Sequence, residues 1–425
     1  MTNNTDKILT DGYSKSIDFL KECITPYGFV ASTNDVANYK RIWGRDGSIM
    51  SIAALLTDDA ELITCARDTL ETLMKHQGPH GEIPSNYDFK TGEISFGSTA
   101  GRVDSDLWFL IACGQYLRKR EDKKFFNLAI ESIEKVRFLL GAWEFNTRGL
   151  LYVPITGDWA DEYVHHGYIL FDQVLYYRAQ LEVSAIHKFL LKSSESELVE
   201  KSNHLKNLIK TNYWFDGNEK NVDMGYVYHD ILYKKGLKTS GEKNLKHWYS
   251  FFTPAGYGYR FDALANILVS LFGIATKEQS DLVDEYIKSE VLVDDVFLIP
   301  AFHPVITPQD KNWEELKMSF SYTFKNNPYE FHNGGLWPFL TGFYAADLAR
   351  RGKTDLAKKF LVGIHKANKM KRHGRNWSFS EYIHGKKIIP EGMDHLGWNA
   401  ATAVIAHHAL QGEHIISEND LKEFN

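Results

Sequence analysis

AGRVDSDLW (100–108) sets an arginine, two aspartates and a tryptophan at the opening of a helix-periodic run. Five further segments share this character: RIWGRD (41–46), TGDWADEYVHHGY (156–168), AGYGYRFD (255–262), FHNGGLWP (331–338) and SEYIHGKKIIPEGMDHLGW (380–398). Each gathers glycine, aromatic rings and charged or hydrogen-bonding side chains. Each precedes or opens every second helix read from the apolar spacing. Capping would account for Asp46 or Asp104 taken singly, but not for six such segments at alternate helix starts. If the alternate helices form an inner ring, all six segments converge on one mouth.

The helices themselves come from apolar periodicity. Within 59–76, Leu62, Ala66, Leu70, Leu73 and Met74 share a face, Asp59 is placed to cap the start and Gly78 lies just past the end. Over 122–141, Phe126, Ala129, Ile130, Ile133, Val136 and Leu140 repeat the pattern. Extended along the chain, the spacing predicts about twelve helices, starting near 11, 44, 59, 104, 122, 169, 194, 259, 277, 335, 354 and 395. Alternate starts are separated by roughly 60 to 90 residues, which suggests stacked helical hairpins. Six hairpins closing on themselves make an all-α, (α/α)6 toroid, with 1–425 as one catalytic domain. Uneven gaps and long inserts at 214–258 and 292–334 disfavour an open solenoid. GYVYHDILYKKG (225–236) in the first insert is expected to form a short β-hairpin.

Composition excludes several classes. A net charge of −6 gives no reason to expect a nucleic-acid or membrane partner. The start, MTNNTDKILTDGYSKS, is polar, and no run reaches the roughly 18 apolar residues of a membrane span, so the cytoplasm is the expected compartment. Cys23, Cys65 and Cys113 are odd in number and widely spaced, against a disulfide framework or zinc site, and Cys65 and Cys113 lie on apolar faces as buried thiols. His165 and His166 lack a third ligand in any metal pattern, so no metal or other cofactor is expected. The expected partner is a small carbohydrate, and the composition leaves room for a homo-oligomer. Aromatics at 14% serve a packed core and a sugar site equally well.

Carboxylates dominate the proposed mouth: Asp46, Asp104, Asp106, Asp158, Asp161, Glu162, Asp262, Glu381, Glu391 and Asp394. No GxSxG elbow, Cys/His pair or P-loop accompanies them. Paired carboxylates with aromatic walls suit acetal hydrolysis, in which one acid protonates the leaving oxygen and a second carboxylate activates water.

On these segments the chain resembles the neutral/alkaline invertases. Their VRD, VDSGLW, MID…GYPLEIQALFY, YHNGGSWP and WPEYYDGK motifs read here WGRD, VDSDLW, WAD…GYILFDQVLYY, FHNGGLWP and FSEYIHGK, in the same order. WGRD and a WMDA-like context are also similar to the amylo-α-1,6-glucosidase domain of glycogen debranching enzymes. The resemblance implies an inverting glycoside hydrolase of an α-glucosidic bond. It puts the general acid at Asp161, with Asp158 and Glu162 as rivals, and the base at Glu381. Neighbouring acids and burial beside Trp159 are expected to favour the protonated form of the acid. Trp377, Phe379 and Tyr382 flank the base.

Arg45 and Asp46 read as sugar-hydroxyl ligands or as a structural pair. Asp104 reads as a hydroxyl ligand or a helix cap. Trp43, Trp159 and Trp337 read as stacking surfaces or core. His332 and Asn333 read as polar contacts beside Gly334-Gly335. Asp158, Gln173, Tyr382 and Trp398 complete the expected substrate lining.

Four departures bear on the substrate. Glu162-Tyr163 replace the family's basic pair, Asp106 replaces the glycine of VDSGLW, Phe171-Asp172 replace the glutamate of GYPLEIQ, and KKIIPEGMDHLGW follows the EYIHGK segment. Sucrose is the leading single substrate. A 1,6-linked glucan stub and an α-glycoside of a small polar aglycone are the alternatives. A sugar epimerase or lyase on the same toroid would use His165, His166 or Tyr168 as its base. A helical scaffold without catalysis would need neither acid.

Overall fold

The computed structural model describes residues 2–191, 196–215, 223–319, 323–417 and 420. Among these residues are fourteen α-helices: α1 (Thr2–Glu22), α2 (Gly44–Ala54), α3 (Ala60–Lys75), α4 (Val103–Arg120), α5 (Lys123–Trp143), α6 (Leu170–Ile186), α7 (Ser196–Tyr213), α8 (Asp230–Lys243), α9 (Ala263–Leu271), α10 (Lys277–Tyr286), α11 (Trp313–Met318), α12 (Pro338–Arg350), α13 (Thr354–Lys369) and α14 (Gly397–Leu410).

Six of them close a ring. α2 packs on α4, α4 on α6, α6 on α9, α9 on α12, α12 on α14, and α14 returns to α2. Helices α1, α3, α5, α7 and α13 pack outside it, and α10 joins through Ser280–Ser270 and Tyr344–Asp284 hydrogen bonds. The two rings differ in sequence for a physical reason. An outer helix meets the core on one side, so α3 buries Leu62, Cys65, Ala66, Leu70 and Leu73 and leaves its other face to water. An inner helix is surrounded, so α14 buries almost every residue, and small side chains let neighbours approach. A Cβ on Gly342 of α12 would fall 2.5 Å from Thr402 Cβ of α14, so only glycine permits that crossing.

The predicted inner helices are found, and Asp59 caps α3 by accepting from Glu61 and Leu62 N–H at 3.0 and 3.2 Å. All three cysteines are buried and free. Three expectations are corrected. Helix α1 begins at Thr2, well before residue 11, and α8 and α11 are additional. Residues 225–236 form no hairpin: a 3-10 turn at Met224–Tyr226 leads into α8, whose buried Leu232, Tyr233, Gly236 and Ser240 follow helical spacing. The hairpin lies further on, with Phe251–Thr253 paired to Gly256–Gly258. The alternating aromatics of GYVY imitate a strand period over too few residues to outweigh that helical spacing.

The inner helices all point the same way. Arg45 of α2 pairs with Asp104 of α4 at 3.0 Å and lies over the ring of Trp398 of α14 at 5.3 Å. Phe339 of α12 stacks on Trp398 at 4.1 Å. Asp46, Asp104, Asp106 and Asp172 occupy first turns of their helices, where the positive ends of the helix dipoles offset part of the cost of burying acids.

Candidate active site

The segment carrying Glu381 is a clamped hairpin. Tyr382–Ile383 pairs with Pro390–Glu391, and Ile383 is further bonded to Leu336 in both directions at 2.8 Å. Glu381 stands just before the first strand. Its backbone N–H donates to Met393 O at 2.7 Å, while Met393 N–H donates to its Oε2 at 2.9 Å. Tyr39 donates its hydroxyl to Oε1 at 2.9 Å. Gly392 has φ +73°, and a Cβ there would sit 2.4 Å from Oε2, so this glycine makes room for the carboxylate. Trp377, Phe379 and His395 adopt positive φ nearby, held by bonds such as Phe379 N–H to Asn368 O at 3.2 Å. Glu381 is 6% exposed. Burial raises its proton affinity, and the Met393 and Tyr39 hydrogen bonds offset part of that rise.

Asp161 lies on the loop between α5 and α6, and its side chain is 33% exposed and opens to the mouth. It has a cation for a neighbour: the Arg102 guanidinium donates to its Oδ2 and to Thr156 O. The charge in direct contact with Asp161 is thus a cation, beside the neighbouring acids that the sequence pointed to. Both Glu381 and Asp161 act on the Tyr39 phenol, and with burial they push its proton affinity up. Of the two, Glu381 is the one in hydrogen-bond contact with Tyr39. Glu162 pairs with Lys325 at 3.3 Å, and its backbone oxygen accepts from Ser319 and Asn326.

Beneath these groups is a layer of buried acids. Asp158 is 1% exposed; its Oδ1 accepts from Ala160 N–H at 3.0 Å and contacts His165 Nε2 at 2.9 Å. Burial opposes a charge on His165, but Asp158 outweighs it and favours the imidazolium. Asp172 is fully buried, and neither of its oxygens has a hydrogen-bond partner in the protein. Burial, with Asp158, Asp104 and Asp262 nearby, holds its carboxyl well above the ordinary range. Asp262 caps α9 through Oδ1, and burial pushes it up to about 7 against the pull of His165. Burial likewise raises Asp46, Asp104 and Asp106, with Arg45 pulling the first two back. Neither Asp46 nor Asp104 caps its helix: the residues preceding α2 and α4 are Trp43 and Arg102.

Aromatic rings pack together behind these segments. Trp159 meets Trp337 edge-on at 5.5 Å, and both His332 and Tyr382 stack on Trp337, at 5.5 and 5.7 Å. The indole N–H groups of Trp159 and Trp398 have no protein partner, whereas Trp337 donates to Phe331 O at 2.9 Å. Burial keeps His332 neutral. Trp43 is half-buried and donates to Asn38 O.

Two expected sugar contacts are corrected. Gln173 spends its amide on Leu151 N–H, Leu151 O and Ile169 O. Asn333 accepts from Ile306 N–H and donates to Ile306 O and Asn326 O. Both are completely buried and tie loops together. Asp394 also serves the backbone frame, pairing with Arg372, His373 and Ser380. Conversely, sequence reasoning passed over Tyr39, Arg102 and Lys325. Arg102 sat inside AGRVDSDLW; Tyr39 and Lys325 carried no local signal, since their roles come from packing.

Residues 246–412 match the family model described as alkaline and neutral invertase. The probable chloroplastic alkaline/neutral invertase A of Arabidopsis thaliana is 24% identical, covering 94% of this chain and 70% of that protein. Cytosolic invertase 1 of Oryza sativa subsp. japonica is 23% identical, covering 88% and 76%. Among solved structures, a bacterial glucoamylase complexed with acarbose superposes with a TM-score of 0.64 at 14% identity, over 97% of this chain and 57% of that one. A GH63 mannosylglycerate hydrolase from Thermus thermophilus gives 0.60 at 14% identity, over 92% and 98%. The fold is that of the (α/α)6 glycosidases, and sequence kinship supports a glycoside hydrolase.

Proposed function

We propose that the chain is an inverting hydrolase of an α-glucosidic bond in a small oligosaccharide or glucoside, with Asp161 as general acid and Glu381 as general base. The observation that carries this reading is the contrast between a partly open carboxyl, Asp161, and a clamped, buried one, Glu381, on motifs shared with the glycosidases. Asp161 gives its proton to the glycosidic oxygen as the bond to C1 breaks. Water attacks C1 from the opposite face and loses a proton to Glu381. Tyr39 and the Met393 N–H fix the orientation of the Glu381 carboxylate. Arg45, Asp46 and Asp104 present polar atoms to the sugar, with Trp159 and Trp398 as its apolar walls.

Sucrose is the leading substrate, on kinship to the invertases. An α-glucoside of a small polar aglycone is the second reading, favoured by the Arg102 guanidinium in contact with Asp161. Epimerase or lyase chemistry is less well supported: His165 is 2% exposed and committed to Asp158.

Proton NMR with sucrose, isomaltose, maltose, kojibiose, glucosylglycerate and mannosylglycerate tests the proposal. Early β-anomer, before mutarotation, is expected from one of them. Early α-anomer would reject inversion, and an isomerised but uncleaved sugar would reject hydrolysis.

A further inference from the structure

The end of α5 and the loop after it leave aromatic rings in water. A groove of about 530 Å³ lies there, lined by Gly101, Val103, Trp143, Phe145, Tyr152 and Pro154. Phe145 is 72% exposed and holds φ at +52°, in the left-handed region that a bulky side chain adopts only at a cost. Solvent alone gives no reason to keep an apolar ring there. The groove is firmly built: Tyr152 N–H donates to Trp143 O at 3.1 Å, and the Phe145 and Tyr152 rings meet edge-on at 5.9 Å. It is also continuous with the candidate active site. Gly101 and Val103 flank Arg102, whose guanidinium holds Thr156 O and Asp161. Val103 N–H donates to Gly157 O at 2.8 Å, and Gly157 N–H to Pro154 O at 2.9 Å.

The lining selects a class of ligand. None of the six residues carries a charge, so an ionic ligand meets no counter-charge in it. The flat ring faces take apolar C–H surface. The Trp143 indole N–H and the Tyr152 hydroxyl have no protein partner among the described residues and are left for polar groups of a ligand. A small molecule with C–H faces and a rim of hydroxyls is a sugar ring. We propose that this groove is a second carbohydrate site, which stacks an uncharged sugar ring on Phe145, Trp143 and Tyr152, apart from the two carboxylates. Its occupant is a free sugar or the outer unit of a longer chain, and the site stands whichever acids carry out the chemistry.

The test is saturation-transfer NMR of the full chain with D-glucose, D-fructose and maltotriose, read together with turnover. At least one of these sugars is expected to bind in the millimolar range, with a component that Glu381→Gln leaves unchanged and Phe145→Ala weakens about tenfold. Phe145→Gly removes the ring and suits the backbone, so it should lose the same binding with a melting temperature within a few degrees of the parent. Tyr152→Phe should weaken binding by a smaller factor. In all three variants kcat stays near the parent value. Binding of either monosaccharide identifies a free sugar as the occupant, and binding of maltotriose alone identifies an outer unit of a longer chain. If no sugar binds, or the Phe145 variants bind sugars as the parent does, the site is overturned. A dimer that dissociates in Phe145→Ala while sugar binding is unchanged would make the groove a contact between copies of the chain and overturn it equally. Phe145-dependent binding without cleavage of any glycoside would leave the groove standing and remove the hydrolase reading. Cleavage without Phe145-dependent binding would do the reverse.

Discussion

The two ends of the toroid handle buried charge in opposite ways. At the end where the inner helices finish, every charge in the central network has a partner. Arg178, fully buried, donates to Glu182, Ser417 O and Asp420, while Arg118 and Gln115 reach the same two acids. On the far side of that end, Asp347 binds Arg350, Arg351 and Ser270, and Asp284 binds Arg351 and Lys353. At the end where the inner helices begin, Asp104, Asp158, Asp172 and Asp262 each keep at least one oxygen without a protein partner, and so do the Trp159 and Trp398 indoles. A buried polar group left unpaired costs about 1–3 kcal/mol. A fold that satisfies its acids so fully at one end and not at the other leaves polar atoms at the second end open to partners other than protein.

The largest expected effect tests that contrast at the mouth. Glu381→Gln and Asp161→Asn should each lower turnover by roughly three or more orders of magnitude, with a melting temperature within a few degrees of the parent; retained turnover in either would dissolve the proposed pairing. At the opposite end, Arg178→Met should invert the pattern. It strands Glu182 and Asp420, and denaturant unfolding should read a loss of about 3–5 kcal/mol, while kcat of the folded fraction stays near the parent value. Asp262→Asn should give a smaller, pH-dependent change. Asp262 is pushed up to about 7, so between pH 4 and 7 the folded protein keeps a proton that the unfolded chain releases. Stability from this group therefore falls as pH rises through that window. The asparagine, which can still cap α9, should flatten the slope by on the order of 2–4 kcal/mol across it, and an unchanged slope in thermal melts at stepped pH would show that the acid layer does not titrate there. Tyr39→Phe should have the smallest effect, about a tenfold drop in kcat. Because the lost hydrogen bond favoured the Glu381 carboxylate, the acidic limb of the pH–rate profile should also move to higher pH; a uniform loss at all pH values would make Tyr39 a packing residue.

Much of this molecule was legible in the chain, and what was legible has a common cause. Helical spacing over ten or more residues, as in α3 and α5, survives any tertiary context because one face must be buried. The six polar-aromatic segments are legible because helix starts tolerate glycine, acids and exposed rings together only where something other than packing selects them. GYVY at 225–228 misled because four residues cannot distinguish a strand from a turn entering a helix. Gln173 and Asn333 misled differently: an amide beside a site motif serves a sugar or a loop equally well until its backbone partners are known.

The sequence by itself determined the ring of helices and the choice of end for the polar segments, since both follow from periods along the chain. Only the tertiary structure decided which acids face one another and which cations attend them. Tyr39 meets Glu381 across 342 positions, and Arg102 meets Asp161 across 59. Contacts at such separations are fixed by how the helices close into a ring, and the charge state of each acid depends on the neighbours that closure supplies.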